Sequence, residues 1–456
     1  VEVQQAYRYE LDPNVAQRRH LAQSVAAYRK VWNWALARWK HQFDSNPNAG
    51  KERFLKVGDE KKLIHQLAAD PASEFHWTVP LGTYVRQAPI MNLHKCIQLY
   101  WKARKEGRKV GFPKFKSVRK HHSFKAYGAL KTKGRQVRLP KIGWVRTKES
   151  TIKLKGSILG ATISRHADRW FISFTVKRER EVIPSRSKQV VGVDLGIKTF
   201  AVVSNVSGKS TTFEHPKPLQ RAERRLIRRQ RQLSRKKKGS QNSRKAALKV
   251  GRLHRKVAAQ RKNFLHEATT KLATTKSVIV IEDLKVANMV KNRRLAKAIS
   301  EQGWGEFRRQ LGYKCAWYGS TLITAPQFYA SSKTCSRCGT IKKTLTLADR
   351  IFRCDACGLE IDRDLNAAIN LARYGTGQSY RQCGGKLYAC GEDGSASFKS
   401  AEISVSVEED DCNQLRRTRK GAKASGSRTL VGTPSSGASA SDAPQSTLHV
   451  VGGVIT

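Results

Sequence analysis

Cys335-Ser336-Arg337-Cys338 and Cys354-Asp355-Ala356-Cys357 restrict the geometry of their stretch more tightly than any other feature of the chain. Two thiolates separated by two residues reach one ion from a tight turn, and two such turns complete a tetrahedron at about 2.3 Å per sulfur. The pairs lie 15 residues apart, and each is followed by a glycine, Gly339 or Gly358. This spacing predicts a closed zinc ribbon, and a closed four-sulfur site is structural rather than catalytic. A redox pair is the alternative, but it lacks a thioredoxin-like context. Cys96, Cys315, Cys383, Cys390 and Cys412 have no partners at this spacing. In a reducing cytoplasm the nine cysteines are expected to bind metal rather than form a disulfide framework. No charged-then-apolar leader opens the chain, and no run approaches the ~18 apolar residues of a membrane span. A cytoplasmic protein without membrane partners is expected. Val1 fits a GTG start codon read literally.

The charge points to a partner. The 456 residues carry 88 Lys plus Arg against 35 Asp plus Glu, a formal +53. A compact globule would repel itself at that charge, whereas nucleic acid supplies one negative charge per ~1.7 Å of duplex. Ribosomal and membrane-surface proteins are basic too, so charge alone does not specify the polyanion. The length suggests two to four domains.

Along the chain, Asp12-Pro13 reads as an N-cap with proline at the first helical position. Leu21, Val25, Tyr28, Trp32, Ala35 and Trp39 then recur at helical steps. A second helix is expected from Tyr84 to Lys105, ending near Gly107, before the basic segment from Lys109 to Lys116. From about Ser123 to Val182 the period becomes two: Trp170, Ile172, Phe174 and Val176 alternate with Phe171, Ser173, Thr175 and Lys177, with a hairpin at His166-Ala167-Asp168. Short strands at this spacing suggest a small barrel. Ser185 to Lys188 reads as a linker. Val190 to Gly196 reads as a buried strand and a turn with glycine, followed by a second strand at Phe200 to Val203. Lys217 to Lys262 holds 19 Lys or Arg and one acid, Glu223, yet Ala246, Val250, Leu253, Val257 and Phe264 keep a helical stripe. Such a segment folds on one face and presents charge on the other. Val278 to Leu284 is a further buried strand ending in acids. A helix over about Glu301–Tyr318, a strand near Thr321–Ala325 and a helix opening near Asp364 complete the ordered part. The stretch after Gly375 turns to Gly, Ser and Ala and reads as disordered.

Three carboxylates stand where phosphodiester hydrolysis needs them. Two Mg2+ ions about 3.5–4 Å apart activate water and stabilise the leaving oxygen. Such hard ions take carboxylate oxygens. Asp194 follows one buried strand and precedes Gly196, which lets backbone and substrate approach. Glu282 ends another buried strand, and Asp364 opens an apolar-faced helix. Separations of 88 and 82 residues (282−194 and 364−282) leave only the fold to join them. Asp283 and Asp362 are rivals. Asp283 points to the opposite face if Glu282 is still in strand geometry, and Asp362 suits an N-cap or a supporting position.

At these residues the chain resembles the TnpB family, transposon-borne relatives of type V CRISPR nucleases. Gly192-Val193-Asp194-Leu195-Gly196-Ile197-Lys198, Ile281-Glu282-Asp283-Leu284 and Asp362-Arg363-Asp364-Leu365-Asn366-Ala367-Ala368 resemble its three RuvC motifs, with the cysteines between the second and third. Phe112-Pro113-Lys114-Phe115-Lys116 and Trp304-Gly305-Glu306-Phe307 also look familial. The likeness covers roughly residues 1–375. It implies an α/β multidomain protein. A wedge β-barrel is expected over 1–12 and 122–188, with a helical recognition insert at 13–121. An RNase H-like RuvC core is expected over 189–326 and 364–375, with a zinc ribbon at 327–363 and a tail at 376–456. It also implies a guide RNA from the element's own end, a double-stranded DNA target read beside a short adjacent motif, Zn2+ in the ribbon and two Mg2+ at Asp194, Glu282 and Asp364. The nucleic-acid contacts expected are Gln87, by rough position on the second helix, Lys114 and Lys116, and from the basic helices Arg224, Arg225, Arg228, Arg229, Lys236, Lys237, Arg252, Arg255 and Lys256. The competing readings are a nuclease-dead RNA-guided repressor, which would lose an acid, an unguided structure-selective nuclease, and an RNA-binding scaffold. A compact type V effector shares the chemistry.

Overall fold

The computed structural model describes residues 2–45, 55–108, 110–181, 189–346, 348–377, 380–383 and 386–389. The expected linker at 185–188, Lys109 and the stretch 390–456 lie outside the described residues.

Strand β1 (Glu2–Asp12) leads into the 31-residue helix α1 (Val15–Ser45). The cap differs from the sequence reading. Asp12 is still strand, opposite Arg146, and the helix is closed by a reciprocal pair, Gln17 N to Asn14 Oδ1 (2.9 Å) and Asn14 N to Gln17 Oε1 (3.1 Å). This is a capping box shifted by two residues, because the strand ladder holds Asp12. All six residues of the predicted α1 stripe are buried. Helix α2 (Val57–Ala69), a 3-10 turn (His76–Leu81) and α3 (Tyr84–Lys105) pack beside α1.

Six more strands follow: β2 (Ser123–Ala126), β3 (Lys131–Lys133), β4 (Gln136–Leu139), β5 (Gly143–Thr147), β6 (Ser157–His166) and β7 (Arg169–Glu179). With β1 they form one sheet in the order β2-β6-β7-β1-β5-β4-β3. The period-two pattern holds, since Trp170, Ile172, Phe174 and Val176 are buried and their neighbours are not. Ala167-Asp168 forms the two-residue turn, with Ala167 at φ 59°. The β-ladder, however, has edges at β2 and β3 among the described residues, so its hydrogen bonding is that of an open sheet.

The second sheet runs β10-β9-β8-β11-β12. Strands β8 (Val190–Leu195), β11 (Val278–Glu282) and β12 (Thr321–Ala325) are parallel, while β9 (Ala201–Ser204) runs antiparallel between β8 and β10 (Ser210–Phe213). Between them come the basic helices α4 (Pro218–Ser234) and α5 (Gln241–Thr275), then α6 (Val286–Met289), α7 (Ala296–Gln302) and α8 (Trp304–Tyr318). The helix expected over 301–318 is split at Gly303, which takes φ 74°. One sheet face, through Val191, Val193, Ile279 and Ile281, packs on Leu265 and Leu272 of α5 and on Phe307 and Leu311 of α8. The other face takes α9 (Arg363–Gly375), with Val280 against Leu371. Gly192 lies under α9, where a Cβ would stand 2.0 Å from the Ala368 carbonyl oxygen. Helix and strand touch backbone to backbone there, and only glycine permits it.

The hairpin β13 (Ile351–Arg353) and β14 (Glu360–Asp362) closes the cysteine module around Phe352. Past α9, a short hairpin pairs β15 (Tyr380–Cys383) with β16 (Lys386–Ala389). No helix among the described residues is long and apolar enough to cross a membrane.

Candidate functional site: an acidic centre beside a cysteine ribbon

Strand alternation places the acids. In β8, Val191 and Val193 face α5 and α8, so Gly192 and Asp194 face α9. In β11, Ile279 and Ile281 face α5 and α8, so Val280 and Glu282 face α9. Ile281 pairs with Val193 in parallel register, which sets Glu282 on the rung beside Asp194. Asp194 is thus inside the strand rather than after it. Asp364 lies in the first turn of α9, the helix those two carboxylates face. Gly196 serves its own turn: a Cβ would stand 2.7 Å from the Thr199 carbonyl oxygen, and Asp364 Oδ2 lies 3.9 Å away. The glycine is therefore explained by the turn before any substrate need be invoked.

The electrostatics report the convergence. The Asp194 carboxyl is held well above the usual carboxylate range, first by burial, then by the charges of Glu282 and Asp364, with Arg363 opposing. The rivals separate cleanly. Asp283 faces the other way and pairs with Lys285 and with Arg308 of α8. Asp362 caps α9, accepting from Asp364 N and Leu365 N at 3.0 Å each.

The four thiols form the tighter group. Cys335, Cys338, Cys354 and Cys357 bring their sulfurs within 4.8 Å of one another, whereas the three carboxylates form no such cluster among the described residues. Three anions repel, and a cation between them is what would draw them in. The two thiol turns repeat one hydrogen-bond pattern. Gly339 N donates to Cys335 O and Gly358 N to Cys354 O, at 2.9 and 3.0 Å, while Cys335 N donates to Thr340 O and Cys354 N to Leu359 O, both at 2.9 Å. Both glycines take positive φ, 79° and 68°, as the close of each turn requires. Soft sulfur donors in this arrangement fit a tetrahedral ion.

Buried amides that the sequence reading left without a role join ribbon and acids. Asn366 Nδ2 donates to Thr334 O (2.7 Å) and Asn366 Oδ1 accepts from Ser336 N (2.9 Å). Asn370 Nδ2 donates to Ser331 O (2.8 Å) and Thr334 O (2.7 Å). The Ser331 hydroxyl donates to Glu282 Oε1 at 2.5 Å. The available signal was two asparagines at i and i+4 on a helix face otherwise apolar, four residues being one turn.

The basic residues divide. Arg224, Arg225, Arg228, Lys236, Lys237, Lys256 and Lys114 are exposed, and Arg229 is half-buried beside Gln232. Three others are engaged within the chain or buried. Lys116 is only 8% exposed, with its amine on His121 Nε2 (2.8 Å) and 4.0 Å from the Trp32 ring. This corrects its assignment as a surface contact: its segment is fastened to α1 through Asn33, which turns the side chain inward. Arg252 and Arg255 pair with Asp168 at the β6–β7 turn, at 3.0 and 2.6 Å, beside Gly251, whose Cβ would touch Ala167. Gln87 is half-buried, with its amide 3.0 Å from His65 Nε2 of α2.

Three carboxylates on two parallel strands and a helix end, an attached four-cysteine module and a basic helical pair define an α/β protein built around an acidic centre. Family profiles match in three places. "Probable transposase" spans residues 173–293, holding Asp194 and Glu282. "Cas12f1-like, TNB domain" spans 304–371, holding the cysteines and Asp364. "Helix-turn-helix domain" spans 3–47, although that stretch here is one strand and one long helix. The Streptomyces pristinaespiralis "Putative RNA-guided DNA endonuclease" is 32% identical over 83% of this chain and 91% of its own length. The Escherichia coli "Putative RNA-guided DNA endonuclease InsQ" is 31% identical over 85% and 94%. A solved Cas12f1–guide RNA–target DNA complex overlays at a TM-score of 0.49 with 12% identity, covering 81% of this chain and 99% of that one, too loose a likeness to carry an argument. The chain belongs to the TnpB family.

Proposed function

We propose that the chain is an RNA-guided DNA endonuclease whose nuclease centre is Asp194, Glu282 and Asp364. The observation that carries this reading is the register that sets Asp194 and Glu282 side by side, both facing the helix that opens with Asp364. The names of the relatives supply the guided DNA target. The donor set fits hard divalent cations: carboxylate oxygens only, with the Asp194 carboxyl raised by burial and by its acidic neighbours, a cost that a bound cation would offset. Two Mg2+ ions held by these residues would supply the activated water and stabilise the leaving oxygen. Asp194 and Glu282 stand on the sheet and Asp364 on the capped helix, so rigid elements carry the carboxylates and a bound cation would draw their oxygens together. The thiols take Zn2+ as a structural ion, and a strong chelator should raise hydrogen exchange over 335–357.

In the same reading, the first sheet is the wedge and α1 to α3 are the recognition insert. The second sheet with α9 is a RuvC-like core, and residues 327–363 are its ribbon. A guide pairing with the target leaves the protein to grip backbone and shape, which suits the exposed arginines of α4. All three acids are in place, which favours an enzyme over a repressor. The test is cleavage of a DNA library carrying one target beside randomised flanks, using protein co-expressed with its own guide transcript, with wild type and Asp194→Ala compared in Mg2+. Cleavage by wild type alone, enriched for one flank, supports the reading. Flank-selective binding without cleavage makes the protein a repressor, and cleavage indifferent to guide and flank removes the guided part.

A further inference from the structure

The loop between β12 and the ribbon displays a phenylalanine that nothing in the fold uses. Phe328 is 90% exposed, the most exposed large apolar side chain among the described residues. The turn around it is held: Tyr329 N donates to Pro326 O at 3.0 Å, so Phe328 occupies the third position of a hydrogen-bonded turn. Phe328 is not at positive φ, so the turn itself makes no demand for a particular side chain. A bulky ring there serves neither turn nor core. The residues after it are fastened down. Tyr329 Oη donates to Asn370 O (3.1 Å) and its ring packs near Tyr374, while Ser331 holds Glu282. The ring is therefore presented on a braced support rather than on a loose loop.

Its place is defined by both ends of the loop. Ala325, before it, is in register with Glu282, and Ser331, after it, bonds the same carboxylate. Three residues of extended chain span at most about 11 Å, so the Phe328 backbone stands within that distance of Ala325 and of Ser331, both of which adjoin Glu282. A protein with a formal charge of +53 attracts polyanions. An exposed aromatic ring beside a polyanion path offers an unpaired base a face to stack on, at about 1–3 kcal/mol per base whatever its identity.

We propose that Phe328 is a stacking subsite that seats one unpaired nucleobase of the DNA strand entering the Asp194–Glu282–Asp364 centre. This rests on the endonuclease reading above. Phe328 acts as a positioning residue: the base that lies on its ring sets which phosphodiester meets the carboxylates.

The test compares wild type, Phe328→Ala, Phe328→Leu and Phe328→Trp, each with its guide RNA, in single-turnover cleavage of one matched target. A second target series carries an abasic nucleotide at each position around the cut. Phe328→Ala should keep the wild-type melting temperature and target affinity, cut about 5- to 100-fold more slowly and spread its cut positions. Phe328→Trp should restore both rate and position, and Phe328→Leu should not. At one abasic position wild type should slow to the rate of Phe328→Ala, and the two should then be equal. Equal rates and cut positions for wild type and Phe328→Ala on intact targets would overturn the subsite, as would rescue by leucine equal to that by tryptophan. Failure of wild type to cut any guided target would instead overturn the endonuclease reading.

Discussion

Gly192→Ala should damage the nuclease centre without touching a carboxylate. The added Cβ would stand 2.0 Å from Ala368 O, 2.5 Å from Ala372 N and 2.6 Å from Leu371 Cβ. Two of the three obstacles are helix backbone, which cannot rotate away. Ordinary contact begins at 3.4 Å, so relieving the first clash takes about 1.4 Å of movement (3.4−2.0). Strand β8 is central, bonded to β9 and β11, so α9 is the part that yields. Asp364 is one turn before Ala368 on that helix and moves with it. A displacement near 1 Å in a catalytic group lowers rate about 100-fold, while overpacking costs about 1–3 kcal/mol of stability. The assay is single-turnover guided cleavage beside target binding, with melting to confirm folding. Gly375→Ala is the control. Its Cβ would meet the side chain of Val280 at 2.5 Å, at the far end of the helix, 11 residues from Asp364 (375−364). It should lower stability and spare more of the rate. Cleavage by Gly192→Ala within a few-fold of wild type would refute the claim that this contact sets Asp364.

Ser331→Ala removes a hydroxyl bonded to a charged carboxylate. It should slow cleavage about tenfold or more at unchanged target affinity, with Ser331→Thr recovering part of it in the same kinetic assay. Glu60, 3% exposed and bonded to Trp39 Nε1, has its carboxyl pushed up to about 7 by burial. An acid with a raised folded pKa costs stability as pH rises from its unfolded value toward 7, so Glu60→Gln should gain up to about 3 kcal/mol in urea melts at pH 8, and the gain should vanish by pH 4. Arg225→Ala and Arg228→Ala, exposed on α4, should each reduce the salt slope of nucleic-acid binding by about one. Arg252→Ala, paired with Asp168, should leave that slope nearly unchanged.

What the sequence disclosed followed from local periodicity and spacing. The α1 stripe, the limits of α3 and β12, and the β7 alternation needed only neighbours along the chain. The cysteine module was equally plain, because four ligands to one ion tolerate few spacings. The acids were legible as strand ends, but their common face depended on the parallel register of β8 and β11, which no local pattern encodes. The burial of Lys116 and the ion pairs of Arg252 and Arg255 were hidden for the reverse reason. A cation looks free in a sequence until the fold supplies Trp32 and His121, or Asp168. Asn366 and Asn370 stood in a quoted motif, yet their partners lie 30 to 39 residues away.

Helix α9 carries one ligand carboxylate, the two amides that grip the ribbon and the face that seats Gly192. Each α-helical residue turns the chain by about 100°. One residue gained or lost between Asp364 and Asn370 would therefore swing these groups to different sides of the helix, whatever residue was inserted. Across this family, length variation should be absent from this helix and should collect in the ribbon between its cysteine pairs, where residues 348–350 are exposed. In this segment spacing is under stricter control than identity, and an engineer shortening the protein should cut between the cysteine pairs and leave the helix whole.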